Sequence, residues 1–495
     1  MTKSKITSYV EYVGGYAALL LLFAIALSRA LMHISVAVLA VSAILYAILN
    51  GTGRWRGLAP AWSLRTVLLF FTAVVISIFL SQRPGVGFEN LPMFAYLLAT
   101  PIFFIPFVGL PQVRKWGVSF FIAGFILGLV VIFSRYPFII DTAVRYRPFL
   151  AIMDYGGTLG IAYPVVLSFF IRSLATSNKK YALLYGALSF LILAAAMYNG
   201  TRAIWGSIAV STVVVALLNI RRLKWPFLAH VVVSLLFVYG FTYEYPVFRE
   251  QAKIIEPQQK LIAQDRTKGV TPIAPTPDVT VTAVEETSTD PSYDLMIQDP
   301  LADPSVNFRI KLWKDSFSKW VAYPFFGIGF ANTPYPLTNK NMDIVGYSYD
   351  FFAHCHNTFL QIATETGFLG LLTYLGLAIP SLALAVGSLR SKDDDRRFWA
   401  KILLAVITAF AIHSMSDYVF DIKTVIYLFA FMLACCWFNL KGNAKSSKQP
   451  IDKRIENGNN CMINKTFVLT CSFRACFFWF RVVVKTHDSN VRCIE

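Results

Sequence analysis

Apolar runs of about 17 to 25 residues, separated by short polar breaks, recur along the sequence, and no other feature restricts the fold as much. A run of that length is the helical span of a hydrocarbon core, where the backbone must satisfy its own hydrogen bonds because lipid offers none. The runs are Gly15 to Leu31, Ile34 to Leu49, Leu64 to Leu80, Phe88 to Val108, Gly117 to Ser134, Phe149 to Ile171, Tyr181 to Tyr198, Ala203 to Ile220 and Pro226 to Tyr243. After a long polar stretch come Thr358 to Val386, long enough to be tilted or broken, then Trp399 to Met415 and Tyr418 to Leu440. The pattern predicts an all-α, polytopic integral membrane protein of about twelve transmembrane helices. Residues 1–243 hold the first nine, 244–357 a large loop, 358–440 the last three, and 441–495 a basic tail. With 56% hydrophobic and 15% charged residues, the composition excludes a signal peptide followed by a soluble domain.

Orientation follows from the cations, because short cytoplasmic loops keep Lys and Arg during insertion. With the N-terminus inside, cytoplasmic segments hold Lys3 and Lys5, Arg54, Arg56 and Arg65, Arg114 and Lys115, Arg172, Lys179 and Lys180, Arg221, Arg222 and Lys224, and Arg390, Lys392, Arg396 and Arg397. The formal net charge of +17 is therefore mostly topological, and no nucleic-acid partner is implied. The outer loops depart from this rule with Arg83, Arg135, Arg145, Arg147 and Arg202, all Arg. A guanidinium fork grips phosphate oxygens in two places where Lys offers a point charge, so these positions suggest a docked phosphate or pyrophosphate. Contact with lipid headgroups is the plainer reading for Arg83 and Arg135.

The large loop is outside in this topology, and its halves differ. Residues 256–304 are rich in Pro, Thr, Asp and Glu with few aromatics, a composition that cannot bury enough surface to fold alone and is expected to be mobile or draped. From Asn307, Phe308, Leu312, Phe317 and Trp320 recur at helical spacing until Pro324, Gly327 and Gly329, which predicts an amphipathic helix over 307–323 with Arg309 near its first turn. The loop closes on His354, Cys355, His356 and Asn357, just before the next span. Imidazole titrates nearest neutrality, so a His at this boundary is placed to take a proton from a sugar hydroxyl; an interfacial His bonded to a loop carbonyl is the bland alternative. No metal is expected at His354 and His356, since no carboxylate stands at ligand spacing and the Cys355 side chain would point away.

His356, Asn357, Glu365, Gly367 and Gly370 together resemble the signature of the O-antigen ligase and polymerase superfamily. Asn199, Gly200, Thr201 and Arg202 are similar to that family's outer turn leading into a helix, and the segment around Arg309, with Pro324, Gly327 and Gly329, to its Arg-bearing helix and turn. Ser416 and Asp417 resemble a Ser-Asp pair of the lipopolysaccharide ligases. The likeness covers roughly Arg145 to Phe420 in order.

The resemblance implies a GT-C-like fold in the bacterial inner membrane, with the active site periplasmic. It implies transfer of a glycan from an undecaprenyl-diphosphate donor to a sugar hydroxyl of a lipid A-core acceptor, without cofactor or metal. On that reading His356 is the general base, Arg202 and Arg309 hold the pyrophosphate, and Arg145 and Arg147 assist. His354, Asn357, Glu365 and Asp417 support the site, with Asp154 a weaker candidate of the same kind. Ionisable side chains at membrane depth are costly and so are functional or paired. His354 gives the motif a second His, and in an extended segment both would face one side, so the choice of His356 rests on family position. A repeat-unit polymerase uses the same donor and is the nearest rival; a protein O-oligosaccharyltransferase would carry a further region after the helix that follows His356 and Asn357, and this chain shows none. A twelve-helix transporter or flippase would show related halves, whereas the loop splits this chain nine to three. The tail carries Cys461, Cys471, Cys476 and Cys493 with Arg474 inside an apolar run, and no function is attached to it.

Overall fold

The computed structural model describes residues 2–53, 57, 60, 63–135, 152–240, 304–333, 335–336, 351–352 and 354–446. Arg145, Arg147, the acidic stretch up to residue 303 and the tail beyond residue 446 lie outside the described residues.

The described chain is helical apart from one two-residue antiparallel pairing, Tyr335–Pro336 with Phe351–Phe352. In chain order the helices are α1 Lys3–Ala24, α2 Arg29–Asn50, α3 Ser63–Phe79, α4 Pro84–Phe104, α5 Pro111–Arg135, α6 Ile152–Ala175 and α7 Lys179–Asn199. They continue as α8 Arg202–Leu218, α9 Trp225–Gly240, α10 Pro304–Ala322, α11 Thr358–Gly376, α12 Ile379–Leu389, α13 Asp394–Ser416 and α14 Lys423–Ser446. Eight segments among the described residues are long and apolar enough to cross a membrane: α1, α2, α5, α6, α7, the α11–α12 stretch, α13 and α14. The helices α3, α8 and α9 are apolar but shorter. The two internal prolines of α4, together with Glu89 and Asn90 on its early turns, dilute its apolarity although it is long enough to span.

Several boundaries lie more than a turn from the sequence expectation, at α1, α2, α5, α13 and α14, and two of these change which residues a span holds. The first helix begins at Lys3 rather than Gly15, because Lys3, Lys5 and Glu11 occupy its exposed first turns, and the chain turns back at Ile25–Ser28, which places Leu31 in α2. The last span begins at Lys423 rather than Tyr418, since Asp417 leaves helical geometry and residues 417–422 form a turn. The amphipathic helix runs Pro304–Ala322 instead of 307–323, and it buries Leu312 while Phe317 remains exposed.

One large apolar core joins α1, α2, α4 to α8, α13 and α14, and a smaller one, including Phe70, Val74, Phe94, Phe330, Ile362 and Tyr374, joins α3, α4 and α11. Many outward side chains are apolar too, such as Ile34, Val41 and Leu45 on α2 and Leu64, Leu68 and Leu69 on α3. Such a surface suits lipid as solvent, where close packing and internal hydrogen bonds replace the hydrophobic effect between helices. Ser207 on α8 accordingly donates to the Ala409 carbonyl of α13, and Gly124 of α5 sits where a Cβ would come within 2.0 Å of the Phe23 carbonyl oxygen. Asp154, expected as a weak candidate for the site, is a buried tie between helices: it pairs with Arg29 of α2 and accepts a hydrogen bond from Thr424 of α14.

Opposite ends of α13 have different chemistry. Its N-terminal end carries Asp394 and Asp395, which pair with Arg222, Arg397 and Arg172, all drawn from segments read as cytoplasmic. Its C-terminal end meets the histidine segment, about 33 Å away at the helical rise.

Candidate functional site

The site is assembled by a break in α11. Gly367 lies at φ +65°, in the left-handed region, and splits the helix. The turn after α10 docks into that break through four backbone hydrogen bonds. Phe368 N donates to Pro324 O at 2.7 Å, Leu369 N to Phe325 O at 3.2 Å, Ile328 N to Thr364 O at 2.9 Å and Gly329 N to Glu365 O at 3.0 Å. These bonds satisfy groups that a broken helix would otherwise leave unpaired. The contact requires glycine on both sides. A Cβ on Gly367 would stand 2.3 Å from the Phe325 carbonyl carbon, and one on Gly327, at φ +70°, 2.4 Å from that of Glu365. The sequence reads Gly327 and Gly329 as the end of a helix; in the structure they are also the surface that enters α11. Gly367→Ala is therefore expected to destabilise the fold by about 2 kcal/mol or more, from the left-handed backbone and the clash together. Thermal unfolding in detergent at an unchanged midpoint would contradict this docking.

Beside the break a buried polar chain fixes the histidine segment. Glu365, 3% exposed, accepts at Oε1 from Thr333 Oγ1 and from Gln361 Nε2, each at 2.7 Å. Gln361 also donates to the Thr333 hydroxyl, and its Oε1 accepts from the Cys355 backbone N–H at 2.9 Å. On the other side Trp313 of α10 donates Nε1–H to the Cys355 carbonyl at 2.9 Å. Cys355 itself is fully buried with Leu312, and burial pushes its thiol up to about 11, which makes it an inert packing residue. Both peptide groups of Cys355 are thus held, and the residues on either side of it are His354 and His356.

His356 has φ +55°, uncommon for a residue with a Cβ, and directly precedes Asn357, whose side chain caps α11 by accepting from Leu360 N at 3.0 Å. Across 61 residues of sequence, His356 Nδ1 meets Asp417 Oδ1 at 3.1 Å. Asp417 is 3% exposed, and its Oδ1 also accepts from the Tyr418 N–H at 2.9 Å. Thr358 fastens the two segments, donating to the Asp417 carbonyl at 2.7 Å and accepting from Val419 N at 3.0 Å. Burial acts to raise the Asp417 carboxyl, but the His356 hydrogen bond and the fields of His356, His413 and His354 outweigh it and hold the group at about 2. The ionised carboxylate accepts, so Nδ1 carries the hydrogen and the lone pair is on Nε2. Burial lowers His356 below its ordinary 6.5; the Asp417 contacts oppose this, while His354 and Arg309 add to it. The outcome is a neutral imidazole at neutral pH, oriented by a carboxylate and able to accept a proton.

His354 is the second ring of the site. Its centroid is 4.5 Å from that of His356 in an edge-on arrangement, and its Nε2 is 3.1 Å from Asp421 Oδ2. It faces a cavity of about 370 Å³ whose wall includes Arg83, Asn90, Phe94, Thr333, Tyr418 and Asp421. Arg83, read from charge as a headgroup contact or a phosphate site, lies on the wall of the histidine cavity. The donor atoms of His354, His356 and Asp417 lie within 4.8 Å of one another, close enough to hold a cation. The sequence expectation of no carboxylate at ligand spacing misses Asp417, which folding brings in from the end of α13.

Arg309, on α10, is near enough for its charge to act on His356. Arg202 is the first residue of α8 and exposed, set there by a tight turn. Gly200 takes the left-handed conformation at φ 71°, and Thr201 donates to Asn199 Oδ1 at 2.7 Å, both residues buried. His354, His356, Asn357, Glu365 and Asp417 come together in one cluster, whereas Arg145 and Arg147 lie outside the described residues. Gln361, Thr333, Trp313 and Thr358 serve the cluster without having been singled out in the sequence. Only Gln361 carried a signal, a polar residue one helical turn before Glu365 on a span.

Comparison with protein-family models finds an O-antigen ligase domain at residues 187–375, a family that covers O-antigen ligases and polymerases. The matched stretch holds Arg202, Arg309, both histidines, Glu365 and Gly367; Asp417 lies past its end. No curated protein matches the chain.

Proposed function

We propose that this chain is an O-antigen ligase of the bacterial inner membrane. It transfers a glycan from undecaprenyl diphosphate to a sugar hydroxyl of lipid A-core at the periplasmic face. The observation that carries the reading is the Asp417–His356 pair, held at the N-terminal start of the broken helix α11 and opposite the basic end of the bundle. His356 Nε2 takes the proton of the acceptor hydroxyl as its oxygen attacks the anomeric carbon. The glycosyl–phosphate bond breaks on the far side, configuration inverts, and the pyrophosphate leaves with the prenyl chain. Arg309, whose charge already bears on His356, and Arg202 meet the negative charge that develops on the leaving phosphate. Glu365 and Asn357 position the histidine segment, and Arg145 and Arg147 assist the anion. No cofactor is invoked, and Asp417 acts here by orienting a base rather than by ligating an ion.

Arg202→Lys is expected to lower transfer about 10- to 100-fold, because a point charge replaces a two-pronged grip. Full activity in that variant would remove Arg202 from the phosphate. The function itself is tested by deleting the gene in its host and comparing surface lipopolysaccharide with lipid-linked glycan. Bare lipid A-core with accumulated lipid-linked polymer is the expected result. Core bearing a single repeat would identify a polymerase instead, the reading that shares the donor and the site. An unchanged pattern would contradict both.

A further inference from the structure

One wall of the histidine cavity is a single stripe of α4. Val86, Asn90, Met93 and Leu97 line it at intervals of four, three and four residues, the repeat that stacks side chains on one helical face, and Arg83 stands at the cavity just before the helix, as its N-cap. At the helical rise the stripe from Val86 to Leu97 is about 17 Å long. The wall combines the guanidinium of Arg83 and the amide of Asn90, with Val86 between them, and the apolar Met93 and Leu97 further in. Arg83 is exposed and makes no ion pair among the described residues. The acidic group at the same mouth, Asp421, is engaged by His354.

We propose that this groove binds a second lipid, a phosphorylated acyl lipid whose headgroup lies on Arg83 and whose chain follows Met93 and Leu97. A free anion would gain nothing from the apolar side chains Val86, Met93 and Leu97, and an uncharged lipid nothing from the guanidinium; a phosphate-headed amphiphile uses both. Asn90 and Asp421 add hydrogen-bonding groups suited to hydroxyls on that head. The identity of the lipid as the acceptor rests on the function proposed above. There Arg202 and Arg309 hold the donor's phosphates, and Arg309 acts on His356, whereas Arg83 shares the cavity of His354. The two rings touch, so a groove on the His354 side delivers an acceptor hydroxyl next to the base.

The test is photolabelling with a diazirine-tailed phosphatidic acid in phosphatidylcholine nanodiscs, using His356→Ala protein so that the result does not depend on turnover. Label is expected on α4 between Asn90 and Leu97. It should fall at least 10-fold in Arg83→Gln, with partial recovery in Arg83→Lys, and Leu97→Trp should block it while leaving Arg83 in place. Excess phosphatidic acid should compete, and inorganic phosphate or diacylglycerol should not. Label indifferent to Arg83→Gln, or equal competition by diacylglycerol, would overturn the phosphate contact. Equal competition by inorganic phosphate would reduce the groove to a free-anion site and overturn the lipid. Competition by polyprenyl phosphate 10-fold stronger than by phosphatidic acid would make it the donor's groove and overturn the acceptor assignment, without touching the catalytic reading.

Discussion

His356→Ala is expected to lower glycan transfer by about 10²- to 10⁴-fold, the range that a positioned general base contributes, while leaving the protein inserted and folded. His356 is held by the backbone clamp on Cys355, by Asn357 at the start of α11 and by Asp417, so its ring has one orientation. The substitution removes a side chain outside the helices and should not disturb the glycines that dock the loop. A transfer rate within a few-fold of the wild type would remove His356 as the base. His354→Ala is the matched control: loss there with normal activity in His356→Ala would transfer the role to the ring that faces the cavity.

Asp417→Asn should be nearly as severe, about 10²- to 10⁴-fold, because an amide can present its N–H to Nδ1 and trap the tautomer that has no lone pair on Nε2. Its pH profile separates orientation from packing. In the wild type the acid limb of activity reflects protonation of His356 and is expected below pH 6.5, since its value is lowered by burial. Asp417 is ionised everywhere above about pH 2 and does not titrate in that window. Removing the carboxylate removes contacts that raise His356, so the acid limb of the residual activity should move further to the acid side. The sign for stability is the same for His356. Its neutral form is favoured in the fold, so this contribution is present above pH 6.5 and is lost as pH falls through the lowered value. An acid limb that moves to higher pH in Asp417→Asn would contradict the pairing.

The spans were legible because lipid demands long apolar helices and short basic loops, and most runs match helices to within a few residues. The errors came where polar residues lie on real helices. Lys3, Lys5 and Glu11 hid the start of α1, and the apolar Tyr418, Val419 and Phe420 disguised a turn as helix. The histidine segment was legible as imidazoles just before a span, but the choice of His356 and the notice of Asp417 rested on the family resemblance, with Glu365 and Asp417 marked further by the cost of a carboxylate at membrane depth. That Asp417 meets His356 was not, because the contact spans 61 residues and two helices. Nor could spacing show that Gly327 and Gly367 serve one contact, since each alone reads as a helix end or a kink. For Arg83, charge alone left headgroup and phosphate contact open; that it lines the histidine cavity needs the start of α4 to pack beside the histidine loop.

The most direct test of the account is reconstitution. Purified protein in liposomes would be given undecaprenyl-diphosphate-linked glycan and lipid A-core in the presence of a strong chelator, and products followed by mass spectrometry. The account predicts glycan on the core with inverted anomeric configuration and release of undecaprenyl diphosphate, both unchanged by the chelator and absent with His356→Ala. Transfer that stops on chelation and returns with a divalent ion would contradict it, and would assign His354, His356 and Asp417 to a metal instead of a base.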